Sequence, residues 1–317
     1  MDTVEALEPA NDLEQSATDV RNLDIDSLAM VASVARMRRV GVSSQLFGGL
    51  PTISVVVPAL NEAPNLTYVL PLIPTWVSEV ILVDGGSTDD TVAVAKSLMP
   101  DIRIVTQSGR GKGNALRAGF TSATGDIIVM LDADGSTLPT EIPAFVGVLL
   151  AGADFAKGSR FSQGGGSEDI SLFRSLGNLY FVLMARLLFG GRYTDLCYGY
   201  NAFWRRHLDV LELDADGFEV ETMMNLRALQ RGLKVVEVSS FEACRRFGSS
   251  RLRAVPDGMR VLRIVLRERL SKQGRQWRAR GRLRGRALRR NQQIGLPSLA
   301  DAAVAEIAGR ASPGGAV

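Results

Sequence analysis

The sequence predicts an α/β protein built on a mostly parallel sheet flanked by helices on both faces. Three observations predict it. Short β-branched runs alternate with helix-patterned stretches across residues 53–269, as in chains that return each strand through a crossover helix. The early strand-like runs stop in polar turns, several bearing glycine, rather than in two-residue hairpins. Of 317 residues, 46% are apolar and 22% charged, the balance of a globular enzyme whose core needs no staples.

Taken in order, residues 53–58 form a first strand, stopped by Pro58. Residues 65–73 read as a helix and 79–83 as a second strand entering the turn Asp84-Gly-Gly-Ser87. Residues 88–98 read as helical, with Ser87 or Thr88 and Asp89 suited to the N-terminus. A third strand at 102–106, a helix at 113–121 and a fourth strand at 126–131 follow. Ligands of doubly wound sheets gather beyond the carboxyl ends of the strands. The polar segments 59–62, 84–89, 110–112 and 132–134 are therefore expected to converge on one crevice.

The flanks differ from this middle section. Residues 1–49 are expected to form a mobile tail, 50–270 the folded domain, and 271–317 an arginine-rich, largely disordered tail. The net charge is only +3, yet arginines recur from Arg245 to Arg290 against Asp257 and Glu268 alone, a pattern suited to an anionic surface. The first 26 residues are acidic and polar, unlike a secretory signal, and the most apolar run, 176–191, is broken by Asn178 and Arg186. A cytoplasmic protein is expected, with Cys197 and Cys244 as reduced thiols. His207, the single histidine, is expected at the surface without a catalytic part.

Asp132 and Asp134 follow an apolar strand at i and i+2, so an extended backbone points both carboxylates the same way. Two hard anionic oxygens suit Mg²⁺ or Mn²⁺, which could also grip a diphosphate. Asp84, before two glycines, can accept from a base or ribose, or close an Asx turn. Arg110 and Lys112 sit where a helix begins, a favourable place for phosphate, although the spacing is not that of a Walker loop. No Gly-x-Gly-x-x-Gly follows the first strand, which disfavours a dinucleotide-binding dehydrogenase.

Five segments together, Val57-Pro-Ala-Leu-Asn-Glu62, Val83-Asp-Gly-Gly-Ser-Thr-Asp89, Gly111-Lys-Gly-Asn-Ala115, Leu131-Asp-Ala-Asp134 and Gly158-Ser-Arg160, resemble family-2 glycosyltransferases of the GT-A fold. Within them the chain is most similar to dolichol- and polyprenyl-phosphate hexose synthases, over residues 53–250. The resemblance implies that Pro58, Ala59, Glu62, Asp84, Lys112 and Asp132 contact the nucleotide-sugar, and that Asp132 and Asp134 hold the metal. Ser136 stands where the family often has glutamine as a further ligand. The resemblance also implies that Arg160, Arg174 and Ser175 face an acceptor phosphate, and that Glu219 or Glu221 holds the sugar hydroxyls. Asp134, Arg160, Glu219 and Glu221 are thus the catalytic candidates.

The expected partners are a GDP- or UDP-linked sugar, a polyprenyl phosphate or other acceptor, and an anionic membrane touched from the cytoplasmic side; no nucleic acid is expected. Residues 172–189 can be drawn as an amphipathic helix with Phe173, Leu176, Tyr180, Leu183, Met184 and Leu187 on one face, for membrane contact or for core packing. Two alternatives compete. The same fold could serve a hydroxyl acceptor, with Asp195, Glu219 or Glu221 as base. More remotely, the chain could be a non-enzymatic binding protein using its basic tail.

Overall fold

The computed structural model describes residues 50–249 and 252–271; the expected tail at 1–49 lies outside them, as does the expected tail at 271–317 beyond its first residue. Backbone packing divides the chain into two units, Met1–Glu268 and Arg269–Val317, and of the second only residues 269–271 are described.

In the first unit, β1 (Ile53–Ala59), α1 (Ala63–Val69), β2 (Glu79–Asp84), α2 (Thr91–Leu98), β3 (Arg103–Thr106), α3 (Lys112–Ser122) and β4 (Ile127–Met130) alternate as expected. There follow α4 (Ile142–Leu150), β5 (Phe155–Ser159), β6 (Gly166–Ser167), α5 (Leu172–Phe189), β7 (Asn201–Trp204), α6 (Leu208–Leu211), α7 (Glu219–Arg231), β8 (Val235–Ser239) and β9 (Phe241–Glu242). The last helix is α8 (Ala254–Leu270). Seven strands form one sheet in the order β3-β2-β1-β4-β7-β5-β8, and β6 pairs with β9 apart from it. Only β7 runs antiparallel to its sheet neighbours.

Both faces of the sheet are covered, which is why its central strands are apolar throughout rather than alternating. On one face Val55, Val57, Leu82 and Val129 join Leu66 of α1, Ala95 of α2 and Phe145 of α4 in the core. On the other, α3 lies so close that a Cβ on Gly119 would strike Val56 and Val83. Phe120 of the same helix meets Phe203 of β7 edge-on at 5.3 Å.

Register brings the site together. Ala59, Asp84 and Thr106 sit side by side at the carboxyl ends of β1, β2 and β3. Met130 pairs with Val56 and with Asn201, so 131–134 and 198–200 emerge at that same edge.

Two local expectations need correction. Helix α2 starts at Thr91, with no side-chain cap from its Asp90; Asp89 instead accepts from the Thr91 and Ala63 amides. Helix α5 is long and apolar enough to cross a membrane by length and composition alone, with 22% of it buried. Its two polar interruptions are spent on backbone: Asn178 accepts from the Leu196 and Cys197 amides, and Arg186 donates to the Tyr193 carbonyl.

Candidate active site

One cavity opens at the carboxyl edge, between the turns after β1, β2 and β4 and the segments 197–199 and 218–221. Its floor depends on how α3 begins. Gly111 has φ 93°, and a Cβ on it or on Gly113 would run into the carbonyls of Asp216 and Ala215. Without those side chains the Gly113 amide donates to Asp216 O at 2.7 Å, drawing the start of α7 against Lys112.

Lys112 then lies 2.6 Å from Asp132 and 2.6 Å from Glu221. Burial disfavours its charge, but the two carboxylates outweigh burial and hold the ammonium charged well above the ordinary lysine range. Glu221 is also pushed upward, which for a carboxyl means toward its neutral form, by burial and by the charge of Asp132 against the pull of Lys112. A second cation does the same work opposite. Arg245 donates Nη1 to Glu62 at 3.0 Å and Nη2 to Asp134 at 2.7 Å. Asp134 Oδ1 accepts from the Ser136 amide and hydroxyl at 2.9 and 2.7 Å.

Farther along the wall, Arg160 is nearly buried. It grips Asp195 through Nε and Nη2 at 2.7 and 3.1 Å and Glu242 through Nη1 at 3.0 Å. Burial would raise the Asp195 pKa, but Lys157 and Arg160 bring it below the usual value. Arg174 donates Nη1 to Asp169 at 3.2 Å; its Nε and Nη2 have no protein partner among the described residues.

Of the residues singled out from sequence, the cavity is lined by Pro58, Ala59, Glu62, Lys112, Asp132, Asp134, Ser136, Arg160, Arg174 and Glu221. Three are placed otherwise. Asp84 turns its carboxylate onto the Gly86 and Ser87 amides, closing an Asx turn, and does not line the cavity. Ser175 lies outside it too. Glu219 accepts from the Gly217 amide and faces away, because residues two apart on a helix point about 200° apart, so only one of Glu219 and Glu221 can face inward. Asp195, a candidate base, is locked to Arg160 and lies off the cavity. His207 is half-buried, not superficial, and meets Asp154 at 3.1 Å away from the site. Cys197 and Cys244 are both free thiols.

Sequence reasoning missed Arg245, Glu242, Gln107 and Lys157. Gln107 lines the cavity with a buried Oε1 that has no hydrogen-bond partner among the described residues. Lys157, fully buried, donates to the carbonyls of Gly158 and Tyr198 and so holds the wall segment 198–199. Only a strand-borne lysine in an otherwise apolar run hinted at it.

Among the described residues no cluster of three or more His, Cys, Asp or Glu is arranged to hold a metal. The donor set nonetheless fits a hard divalent cation. Asp132 and Asp134 offer oxygen ligands in one open cavity, and Lys112 and Arg245 already sit as cations against them.

The sequence profile of glycosyl transferase family 2 matches residues 54–211. The chain is also 31% identical over 211 residues to the polyprenol monophosphomannose synthase of Mycolicibacterium smegmatis, covering 62% of this chain and 80% of that one. The chain belongs to glycosyl transferase family 2. It is a glycosyltransferase with the GT-A architecture, and the reading as a non-enzymatic binder falls with that assignment. Glycosyltransferase AglJ of Haloferax volcanii is 30% identical over 188 residues, 59% of this chain, which spans only 61% of AglJ. Among solved structures, glucosyl-3-phosphoglycerate synthase from Mycobacterium tuberculosis is similar at a TM-score of 0.53 and 27% identity, over 68% of this chain and 79% of that one. That enzyme was crystallised with Mn²⁺, UDP and glucosyl-3-phosphoglycerate, and separately with Mg²⁺ and UDP.

Proposed function

We propose that this glycosyltransferase moves a hexose, with inversion, from a GDP- or UDP-linked donor to a polyprenyl phosphate at the cytoplasmic face of a membrane. A divalent metal at Asp132 and Asp134, with Ser136 behind Asp134, would supply Lewis-acid stabilisation of the departing diphosphate. Lys112 and Arg245, each already shared between two carboxylates, are the cations best placed to turn toward donor phosphates. Pro58, Ala59 and Gln107 wall the part of the cavity suited to the base, where the unpartnered Gln107 carboxamide can meet a ring edge. Arg174, with donors to spare, suits the acceptor phosphate; Arg160 stiffens the wall behind it.

One observation carries the choice of acceptor. Every carboxylate lining the cavity is held by a cation: Glu62 and Asp134 by Arg245, Asp132 and Glu221 by Lys112, Asp169 by Arg174, and Glu242 by Arg160. A hydroxyl acceptor needs a base within hydrogen-bond reach, whereas a phosphate oxygen is already anionic and needs only in-line placement. The relative from M. smegmatis, named for a polyprenol product, agrees with this reading. The similarity to a glucosyl-3-phosphoglycerate synthase favours a second one, a soluble hydroxyl acceptor with Glu221 as base.

The two separate in one assay. The full chain is incubated with GDP- and UDP-hexoses and Mn²⁺, offering decaprenyl phosphate, 3-phosphoglycerate or a simple alcohol, and products are read by mass spectrometry. Lipid-linked hexose formed only with metal is expected. Transfer to 3-phosphoglycerate alone, or undiminished turnover in a chelator, would overturn the proposal.

A further inference from the structure

The cavity just described does not end at Arg174. Arg160, Arg174, Cys197, Phe218, Glu221 and Leu252 also line a second cavity, which runs on between α5 and α8. Its walls change character: Phe173 and Phe181 come from α5, Ala254 and Val261 from α8, and Ile170 from the loop before α5. Each helix contributes one glycine. A Cβ on Gly177 would meet nothing within 4 Å, and one on Gly258 would meet only Phe181 Cζ at 4.0 Å. Between them the glycines keep a slot open where ordinary side chains would fill it.

We infer that the groove between α5 and α8 receives the apolar chain of a phosphate-headed acceptor, with Arg174 at the boundary between head and chain. This rests on the lipid-phosphate reading above. Charge and polarity choose the occupant. Among the described residues Arg174 has Nε and Nη2 without partners where the two cavities join, so an anionic head is satisfied there. Beyond it the walls offer mainly aromatic and aliphatic surface, against which a hydrocarbon gains and a small hydrophilic acid does not. The helices bounding the groove carry exposed Leu172 and Leu176 on one side and Val255 and Met259 on the other, so a chain leaving the groove continues over apolar surface.

The test uses the full chain with Mn²⁺ and UDP, and titration calorimetry with methyl, geranyl and farnesyl phosphate, inorganic phosphate and 3-phosphoglycerate. Affinity is expected to climb with chain length, farnesyl phosphate binding at least about tenfold tighter than inorganic phosphate. Gly177→Leu and Gly258→Leu each place a side chain in open space. They are expected to weaken farnesyl phosphate about tenfold or more while leaving the melting temperature, methyl phosphate binding and the UDP–Mn²⁺ thermal shift at wild-type values. Gly177→Ala, filling less of the slot, should fall between. If farnesyl phosphate keeps its advantage and both leucine variants bind it as the wild type does, the groove assignment is wrong although the lipid acceptor stands. If the wild type shows no advantage for the longer chains, or binds 3-phosphoglycerate best, the assignment and the lipid reading fail together.

Discussion

Lys112 neutralises two partly or wholly buried carboxylates with one ammonium, and removing one partner of such a group leaves charge uncompensated in a poorly solvated place. Lys112→Met, close in shape, should therefore lower stability by about 3 kcal/mol. Added Mn²⁺ should restore more of the melting temperature in this variant than in the wild type, because the metal then finds carboxylates without a resident cation. Equal Mn²⁺ shifts in both proteins would count against a metal at Asp132. Glu141 gives a pH test away from the site. Burial, outweighing hydrogen bonds from Ser240 and the Phe241 amide, pushes its carboxyl from 4.5 up to about 7. Between those values the folded state binds more protons than the unfolded one, so its stabilising share is complete below pH 4.5 and is lost as pH rises through 7. Glu141→Gln should flatten that slope and make the protein relatively more stable at pH 8, by up to about 3 kcal/mol, in urea melts at pH 5 and pH 8. The paired aspartates were legible at this scale because they follow the apolar run of β4 at the carboxyl edge; the extended backbone expected of them does not form, since β4 ends at Met130 and Ala133-Asp134 lie in a turn. Arg245 was not: it lies more than a hundred residues from Asp134, and among so many arginines nothing local marked it. Glu242 and Gln107 were hidden for the same reason, being brought in by the sheet edge rather than by their neighbours.

At the scale of elements, the strands from β1 to β4 could be read almost to the residue, since apolar runs and turn residues agree there, whereas α1 spans Ala63–Val69 and not 65–73 and α2 starts at Thr91 and not at 88. The direction of β7 could not, because a four-residue apolar run looks the same either way up; the antiparallel pairing with β4 follows from the long excursion through α5. The start of α3 is the element most exposed to a single change. Its glycine at φ 93° places any side chain in a strained backbone and against the Asp216 carbonyl. Gly111→Ala should cost about 1–3 kcal/mol and, by pushing 215–217 outward, separate Glu221 from Lys112. Nucleotide binding should fall with it, measurable as a reduced UDP or GDP thermal shift at a temperature where the variant remains folded. A variant with lowered stability and an intact shift would mean that the segment relaxes without disturbing the cavity.

At the scale of the molecule, the part of the basic stretch that forms α8 and the apolar helix drawn from sequence turn out to be neighbours around one groove. The outer face of α5 exposes Leu172, Phe173, Leu176, Leu179, Leu183 and Leu187, far more contiguous apolar surface than scattered surface residues provide. Just before α8 and along it, Arg253 and then Arg260, Arg263 and Arg267 are exposed as well. Apolar residues to sink and cations to steer are the two ingredients of interfacial binding. Leu176 and Leu183 are 57% and 48% exposed, so replacing both by glutamate removes little from the fold. Each forfeits about 1–2 kcal/mol of burial in lipid and adds a charge that anionic headgroups repel. The double variant Leu176→Glu/Leu183→Glu should thus co-float with phosphatidylglycerol vesicles about thirtyfold less than the wild type, at an unchanged melting temperature. Raising salt to about 1 M should weaken the wild type only in part, since screening removes the arginine contribution and spares the apolar one. Turnover on a lipid phosphate presented in vesicles should drop in step with flotation, while transfer to the same acceptor in detergent micelles should hold. Undiminished flotation of the double variant, or no flotation of the wild type, would mean that the α5 face does not bind a membrane and would leave it in need of another partner.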